Sequence, residues 1–451
     1  RRLMAEGRRL GADIADEGDR EALNDLTSSL RDEEDALSSL SEMSSSPVER
    51  LRAMYRVLAF RGERARMCGF DNHADWSLRD VSMAGDVGAV KALHELVASE
   101  VEVTHDDLAA VRAADGLLES EGDPLRMHLE LGSVLGAVFG LSRWLFGVRV
   151  VEEMDGEKVK GWHKDVRLFY IEDEETGERL GSVYFDLLTR TEKSGQVLTQ
   201  PLLHRQALDG VKPVMALSCN ILSPAFDTDP VFLSTDDVRC LLHEFGHVLQ
   251  YMLADVEIGS VWAGSRMELD SSEFLSQFME NWLYEGPLLP SFAHHVRTGE
   301  PVPPELLGRI RRERLLRKKA ELSDHLFHAA LEAEVHSSFD AKGDVSLVAL
   351  QRQMGETYAP HEHLARGDLR PLMTVFESNA RDMQPSALYR YLWSEVMSVD
   401  SFDAFREVGL EDEAAVRELG MRMRKEILER GPSRSFEESY KAFRGRGATP
   451  D

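Results

Sequence analysis

Apolar positions recur at helical spacing through most of the chain, and only one region breaks into alternation. Residues 1–46 read as charged helix, with Asp32-Glu33-Glu34-Asp35 as a solvated face, and Ser44-Ser45-Ser46-Pro47 marks a break and a new helix start. Residues 47–67 and 86–114 read as amphipathic helices, residues 115–124 as a loop, and residues 125–146 as helix again. Four strands follow at 148–152, 166–171, 183–188 and 211–222, with turns at Met154-Asp155-Gly156 and Glu174-Glu175-Thr176-Gly177. These predict a small antiparallel sheet, with residues 214–219 as an edge able to take a peptide by main-chain pairing. Beyond it the pattern is helical, interrupted by Pro301-Val302-Pro303-Pro304 and by a loop holding His361 and His363, with long helices to about 357 and over 386–432. The expected fold class is mostly α, divided into an N-terminal helical lobe, 1–130, and a second region, 131–451, that is helical and holds the small sheet.

The most regular helical pattern is Val238, Leu241, Leu242, Phe245, Val248, Leu249 and Met252, preceded by Ser234 as a cap and by Asp236 and Asp237 in the first turn. Inside it lies His243-Glu244-Phe245-Gly246-His247. Positions i and i+4 share one helix face, so two neutral imidazoles can close on one Zn²⁺. Glu244, one residue on, is placed to take a proton from water at that metal. The bland reading is two satisfied core histidines on a buried helix. Gly246 costs about 1 kcal/mol in a helix, which makes sense if another segment must approach the backbone there.

A two-His site needs a third ligand. A second helix starts near Asp270 or Ser271, with Glu273 in its first turn and Gln277 and Glu280 on the same face. Phe274, Leu275, Phe278, Met279 and Trp282 form its apolar side. Acids on a packed face are costly unless paired or metal-bound. Glu273 is the expected third ligand, with Glu268 and Asp270 as fallbacks. Glu280 is expected to hold a ligating His by its other ring nitrogen, against the plain alternative of a solvated acid.

These two segments resemble the thimet oligopeptidase, neurolysin and oligopeptidase A family of zinc metallopeptidases, which reads H-E-F-G-H, a Gly-Thr/Ser loop, then E-x-P-S-Q-x-x-E-x-W. Leu275 stands where the family has Pro. The likeness continues in Cys68-Gly69-Phe70-Asp71-Asn72-His73-Ala74-Asp75-Trp76-Ser77-Leu78, Tyr184-Phe185-Asp186, Cys219-Asn220, Tyr391-Leu392-Trp393-Ser394-Glu395 and Phe443-Arg444-Gly445-Arg446. The resemblance implies a zincin-like fold with two helical lobes around a deep channel and the sheet, 148–222, beside zinc helices at 235–285. It also implies one Zn²⁺ per chain, short unstructured peptides as substrates and a monomer. In the family, the stretch matching 376–391 is a glycine-rich loop with a His and several Tyr that contact substrate. Here it has no glycine, and Asn379, Gln384 and Leu388 replace the His and two Tyr. Tyr391 is retained as the expected oxyanion donor. Gly264, Asn379 and Tyr389 are candidate substrate contacts.

Composition narrows the partners. The chain of 451 residues carries a net charge of −27, which argues against nucleic acid. Its three Cys form no CxxC pair, as expected of a reducing compartment, and no apolar run is long enough to span a membrane. The start at Arg1-Arg2 without Met predicts a fragment or processed form, located in the cytoplasm or, after loss of a targeting segment, in an organelle matrix. Arg309 to Lys319 reads as a solvated helix face rather than a clamp for a substrate carboxylate. The expected function is a zinc endopeptidase for short peptides. The alternatives are a weakened relative that binds peptides without efficient turnover and a structural zinc protein. Retention of Glu244 argues against both.

Overall fold

The computed structural model describes the chain apart from residues 1–13, 15, 43–45, 80–84, 102, 105, 108, 112, 114–121, 157–158, 160, 207–208, 225–228, 256–267, 360–367, 378–385 and 449–451. The described helices and strands run α1 (Glu17–Glu42), α2 (Pro47–Met67), α3 (His73–Leu78), α4 (Val87–Glu100), α5 (Leu131–Phe146), β1 (Val148–Glu152), β2 (Arg167–Asp173), β3 (Arg179–Leu188), β4 (Leu198–Leu203) and β5 (Val214–Ile221). They continue with α6 (Thr235–Leu253), α7 (Phe274–Tyr284), α8 (Leu288–Phe292), α9 (Pro304–Ser337), α10 (Leu347–Tyr358), α11 (Arg370–Glu377), α12 (Tyr389–Val408), α13 (Glu413–Met423) and α14 (Phe436–Arg444). The mostly helical class expected from periodicity holds. No helix among the described residues is long and apolar enough to cross a membrane. Cys68, Cys219 and Cys240 form no disulfide.

By contacts the chain divides into two units that interleave in sequence. One is built from residues 1–109, 268–270 and 316–393, the other from 110–267, 271–315 and 394–451. The boundary expected near residue 130 divides the chain in order, whereas the contacts group 316–393 with the N-terminal helices. In that first unit, Leu30, Leu37, Met54 and Val57 pack against Phe327, Leu331, Val335, Leu372 and Phe376. The Arg61 guanidinium is buried there against Glu34 (2.7 Å) and the Nε2 of His336 (2.8 Å). His336 Nδ1 lies 3.0 Å from the carbonyl of Glu332. Burial and the neighbouring Arg61 hold this imidazole well below its usual pKa, so it stays neutral and accepts from Arg61.

The second unit holds the sheet, and here the sequence expectation needs correction. Among the described residues the strand order is β1-β2-β3-β5-β4, and the β3–β5 pair is parallel, with Val183 opposite Met215 and Phe185 opposite Leu217. The sheet is therefore mixed rather than antiparallel. Residues 214–219 form no edge: β5 is paired on both sides, by β3 and β4. On that side of the sheet the edge is β4, which the alternation did not reveal, and β1 is the edge on the other side. Pro201 sits inside β4, and Leu202 and Leu203 are 49% and 41% exposed. Proline removes a ladder donor, so it is confined to edges such as this one, and an exposed edge strand has little apolar alternation to read. The expected helix over 386–432 is also broken. Gly409 adopts φ +90° after α12, and the Asp412 side chain accepts from the Ala415 N–H to start α13.

Candidate metal centre

Helix α6 starts as its sequence directs. The Ser234 side chain accepts from the Asp237 N–H, and the Asp237 carboxylate accepts from the Ser234 N–H at 2.8 Å, a reciprocal cap. The apolar stripe from Val238 to Met252 is buried throughout. Phe245 is the anchor: its ring lies 5.8 Å from Phe139 of α5 and 6.1 Å from Phe185 of β3. Burying that stripe fixes the opposite placement of the two histidines, whose rings are 5.0 Å apart.

Glu273 reaches both. Its Oε2 is 3.3 Å from His243 Nε2 and 3.2 Å from His247 Nε2. The three residues form a donor group with ligand atoms all within 4.8 Å of one another, which suits a single metal ion. Glu273 occupies the N-cap of α7 rather than the first turn, after a 3₁₀ turn at Leu269–Ser271. Its side chain makes no cap bond and is directed at the imidazoles instead. Glu280, on α7, is 5% exposed, and its Oε1 lies 2.7 Å from His243 Nδ1. That contact fixes which ring nitrogen of His243 faces the donor group.

The two ligand-bearing helices touch backbone to backbone. A Cβ on Gly246 would stand 2.6 Å from Ser276 Cα, 2.8 Å from the Leu275 carbonyl oxygen and 2.9 Å from the Ser276 nitrogen. This is the close approach that the helical glycine required. Gly246→Ala gains about 1 kcal/mol of helix propensity but forces α6 and α7 apart, and overpacking of this kind costs about 1–3 kcal/mol or more. The expected result is a lower Tm for the full chain with weakened metal retention. A variant as stable as wild type in a thermal melt contradicts the packing argument.

Electrostatics follow from burial and proximity. Burial pulls the His243 imidazole down, but Glu273 and Glu280 outweigh it and push its pKa up to about 10. Burial pushes the Glu273 carboxyl up, and the imidazoles of His247 and His243 outweigh it, holding it well below the usual carboxylate range. Glu244 is 7% exposed, and its Oε2 is buried with no hydrogen-bond partner among the described residues. A carboxylate oxygen left so is costly in a folded core unless a ligand or solvent meets it. Edge strand β4 is tied to the same residue: the Thr199 hydroxyl donates to the Glu244 carbonyl at 3.2 Å.

The other expected site residues fall elsewhere. Asp270, a fallback ligand, is fully buried and accepts from the Tyr389 hydroxyl at 2.8 Å. Tyr389 itself is 1% exposed, so this hydrogen bond is an internal tie of the first unit. Tyr391 stacks on His325 at 5.4 Å, and its oxygen accepts from Arg390 at 2.8 Å. Gly264, Asn379, His361 and His363 lie outside the described residues. Arg314 is a residue that the sequence reading passed over as part of a solvated face. Its guanidinium lies 3.1 Å from Glu280 Oε2, and Arg239 of α6 lies 3.4 Å from the same oxygen. The signal was indirect: a buried Glu280 demands a cation, but periodicity does not say which.

The profile of Peptidase family M3 matches residues 34–451. Organellar oligopeptidase A, chloroplastic/mitochondrial, of Arabidopsis thaliana is 28% identical over 448 residues, covering 91% of this chain and 55% of the relative. Dipeptidyl carboxypeptidase of Escherichia coli K12 is 28% identical over 417 residues, covering 87% of this chain and 59% of the relative. The chain thus spans less than two thirds of these relatives' length. Among solved structures, the M32 carboxypeptidase from Deinococcus radiodurans R1 shares the fold with a TM-score of 0.56 at 13% identity, over 95% of this chain and 77% of that one.

Proposed function

The chain belongs to Peptidase family M3, and from that membership we propose that it hydrolyses internal bonds of short, unstructured peptides, with one zinc ion held by His243, His247 and Glu273. The convergence of two imidazole nitrogens and one carboxylate oxygen carries this reading. The donor set fits zinc, since two His and one Glu are a catalytic combination, and Glu280 at the far nitrogen of His243 supplies the usual outer support. Zinc bound there supplies Lewis acidity toward the attacking water and the scissile carbonyl.

The chain's own groups do the rest. Glu244 Oε2, buried and without a hydrogen-bond partner among the described residues, accepts the proton of the attacking water and returns it to the leaving nitrogen. Strand β4, an edge of the sheet among the described residues, is tied to the Glu244 carbonyl, and an extended peptide can add to it as a further strand. This replaces β5 as the docking edge. We assign Tyr391 the oxyanion donor role on the family resemblance. The protein acts as a monomer in the cytoplasm or an organelle matrix.

A quenched fluorescent peptide library of mixed lengths tests the proposal on the full chain. Cleavage at internal bonds, lost with chelator and restored by zinc, is the expected result. Release of C-terminal dipeptides only would favour the activity named in the Escherichia coli relative. Stoichiometric zinc with no cleavage of any member would favour peptide binding without turnover.

A further inference from the structure

Glu280 is held from two sides. One oxygen takes the His243 Nδ1 at 2.7 Å. The other meets Arg314 Nη2 at 3.1 Å and Arg239 Nη1 at 3.4 Å. The side chains of Glu280, Arg314 and Arg239 are 7%, 14% and 23% exposed, so the cluster is largely out of water. Three separate helices contribute: Arg239 and His243 from α6, one turn apart, Glu280 from α7, and Arg314 from α9. Arg314 is itself fixed, with its guanidinium 5.2 Å from the Tyr284 ring centre, while Arg311, on the same helix, donates to the Tyr284 carbonyl at 2.6 Å. A carboxylate with a single imidazole partner can rotate about its last torsion, which is broad. One clamped at its second oxygen by planar, always-charged guanidiniums cannot easily do so.

The geometry points to Arg314 and Arg239 as positioning residues that lock Glu280, and through it aim the His243 ring at the metal. This rests on the zinc reading above and deepens it. Both arginines meet Glu280, which is not one of the three donor residues. Their effect passes through one carboxylate. They also neutralise Glu280, so that it orients the Nδ1 proton of His243 without adding net negative charge beside the ligand. The basic run of α9 thereby acquires a task at one position, Arg314, while Arg309 pairs with Glu313 along its own helix at 2.7 Å.

The test is zinc affinity of the full chain by competition with a chromophoric chelator, read alongside the thermal melt of the metal-free protein. Arg314→Met keeps length and packing but removes the charge. The expected result is zinc affinity weakened by about 10–100-fold, the usual cost of losing an outer-shell partner, with the metal-free Tm close to wild type. Arg314→Lys is expected to recover most of the loss, and Arg239→Met to weaken affinity in the same direction. If Arg314→Met does not fold, Arg314→Gln, which keeps a donor and drops the charge, carries the same expectation. Unchanged affinity in a folded Arg314 variant overturns the proposal. So does a loss of affinity that tracks a fall in metal-free Tm and is not recovered by Lys, because that is a packing effect. A wild-type chain that takes up no stoichiometric zinc overturns the zinc reading itself, and this inference with it.

Discussion

Glu244→Gln is expected to lower kcat for peptide cleavage by about 10²–10⁴-fold, the range associated with loss of a positioned general base. The substitution is nearly isosteric, and the side chain is buried on a helix whose neighbours Leu242 and Phe245 are fully covered, so packing is conserved. Glu244 is not one of the three donor residues, and zinc content should therefore stay at one per chain. KM should change little, because an amide still fills the volume and only the proton acceptor is gone. Steady-state kinetics paired with metal analysis separates the possibilities. A kcat within threefold of wild type, with zinc retained, would remove Glu244 from the chemistry.

Glu273→Ala is expected to abolish stoichiometric zinc. The carboxylate is the single anionic donor of the group and lies within 3.3 Å of both imidazole nitrogens. Two histidines alone rarely retain zinc against dialysis, since catalytic sites use three protein ligands. The same group sets the pH dependence in wild type. Because the metal-free His243 is raised to about 10, zinc must displace a proton there at neutral pH. Binding releases that proton, so apparent affinity falls as pH falls and rises toward pH 10. Metal analysis after dialysis across pH reads both effects. Full zinc retention by Glu273→Ala at neutral pH would move the third ligand elsewhere.

The helix that carries His243, Glu244 and His247 was legible because its signals are local: a Ser cap, seven apolar positions in period, and an i,i+4 pair. Gly246 was legible as an anomaly, a helix breaker inside a strong pattern, and the structure supplies its reason in Ser276. Strand β4 was not legible, because Pro201 and exposed leucines erase the alternation on which strand recognition depends. Once β4 was missed, β5 took its place as an edge, and the parallel β3–β5 pairing, which needs β4 as the excursion between them, could not be seen. Arg314 was hidden for another reason. A basic run on a helix looks the same whether its members face water or one of them meets a buried acid, and only the fold brings residues 280 and 314 together.

The interleaving of the two units bears on how the protein is made. Leu30, Leu37, Met54 and Val57 complete their shared core with residues beyond 316. A ribosome adding roughly 5–20 residues per second needs on the order of 10–40 s to pass through residues 110–315. During that interval α1 and α2 can pack on each other but lack the part of their core that residues beyond 316 supply, while the sheet and the α6–α7 pair are already complete. The nascent chain therefore offers chaperones a timed target on α1 and α2, and the metal centre can form before the first unit closes.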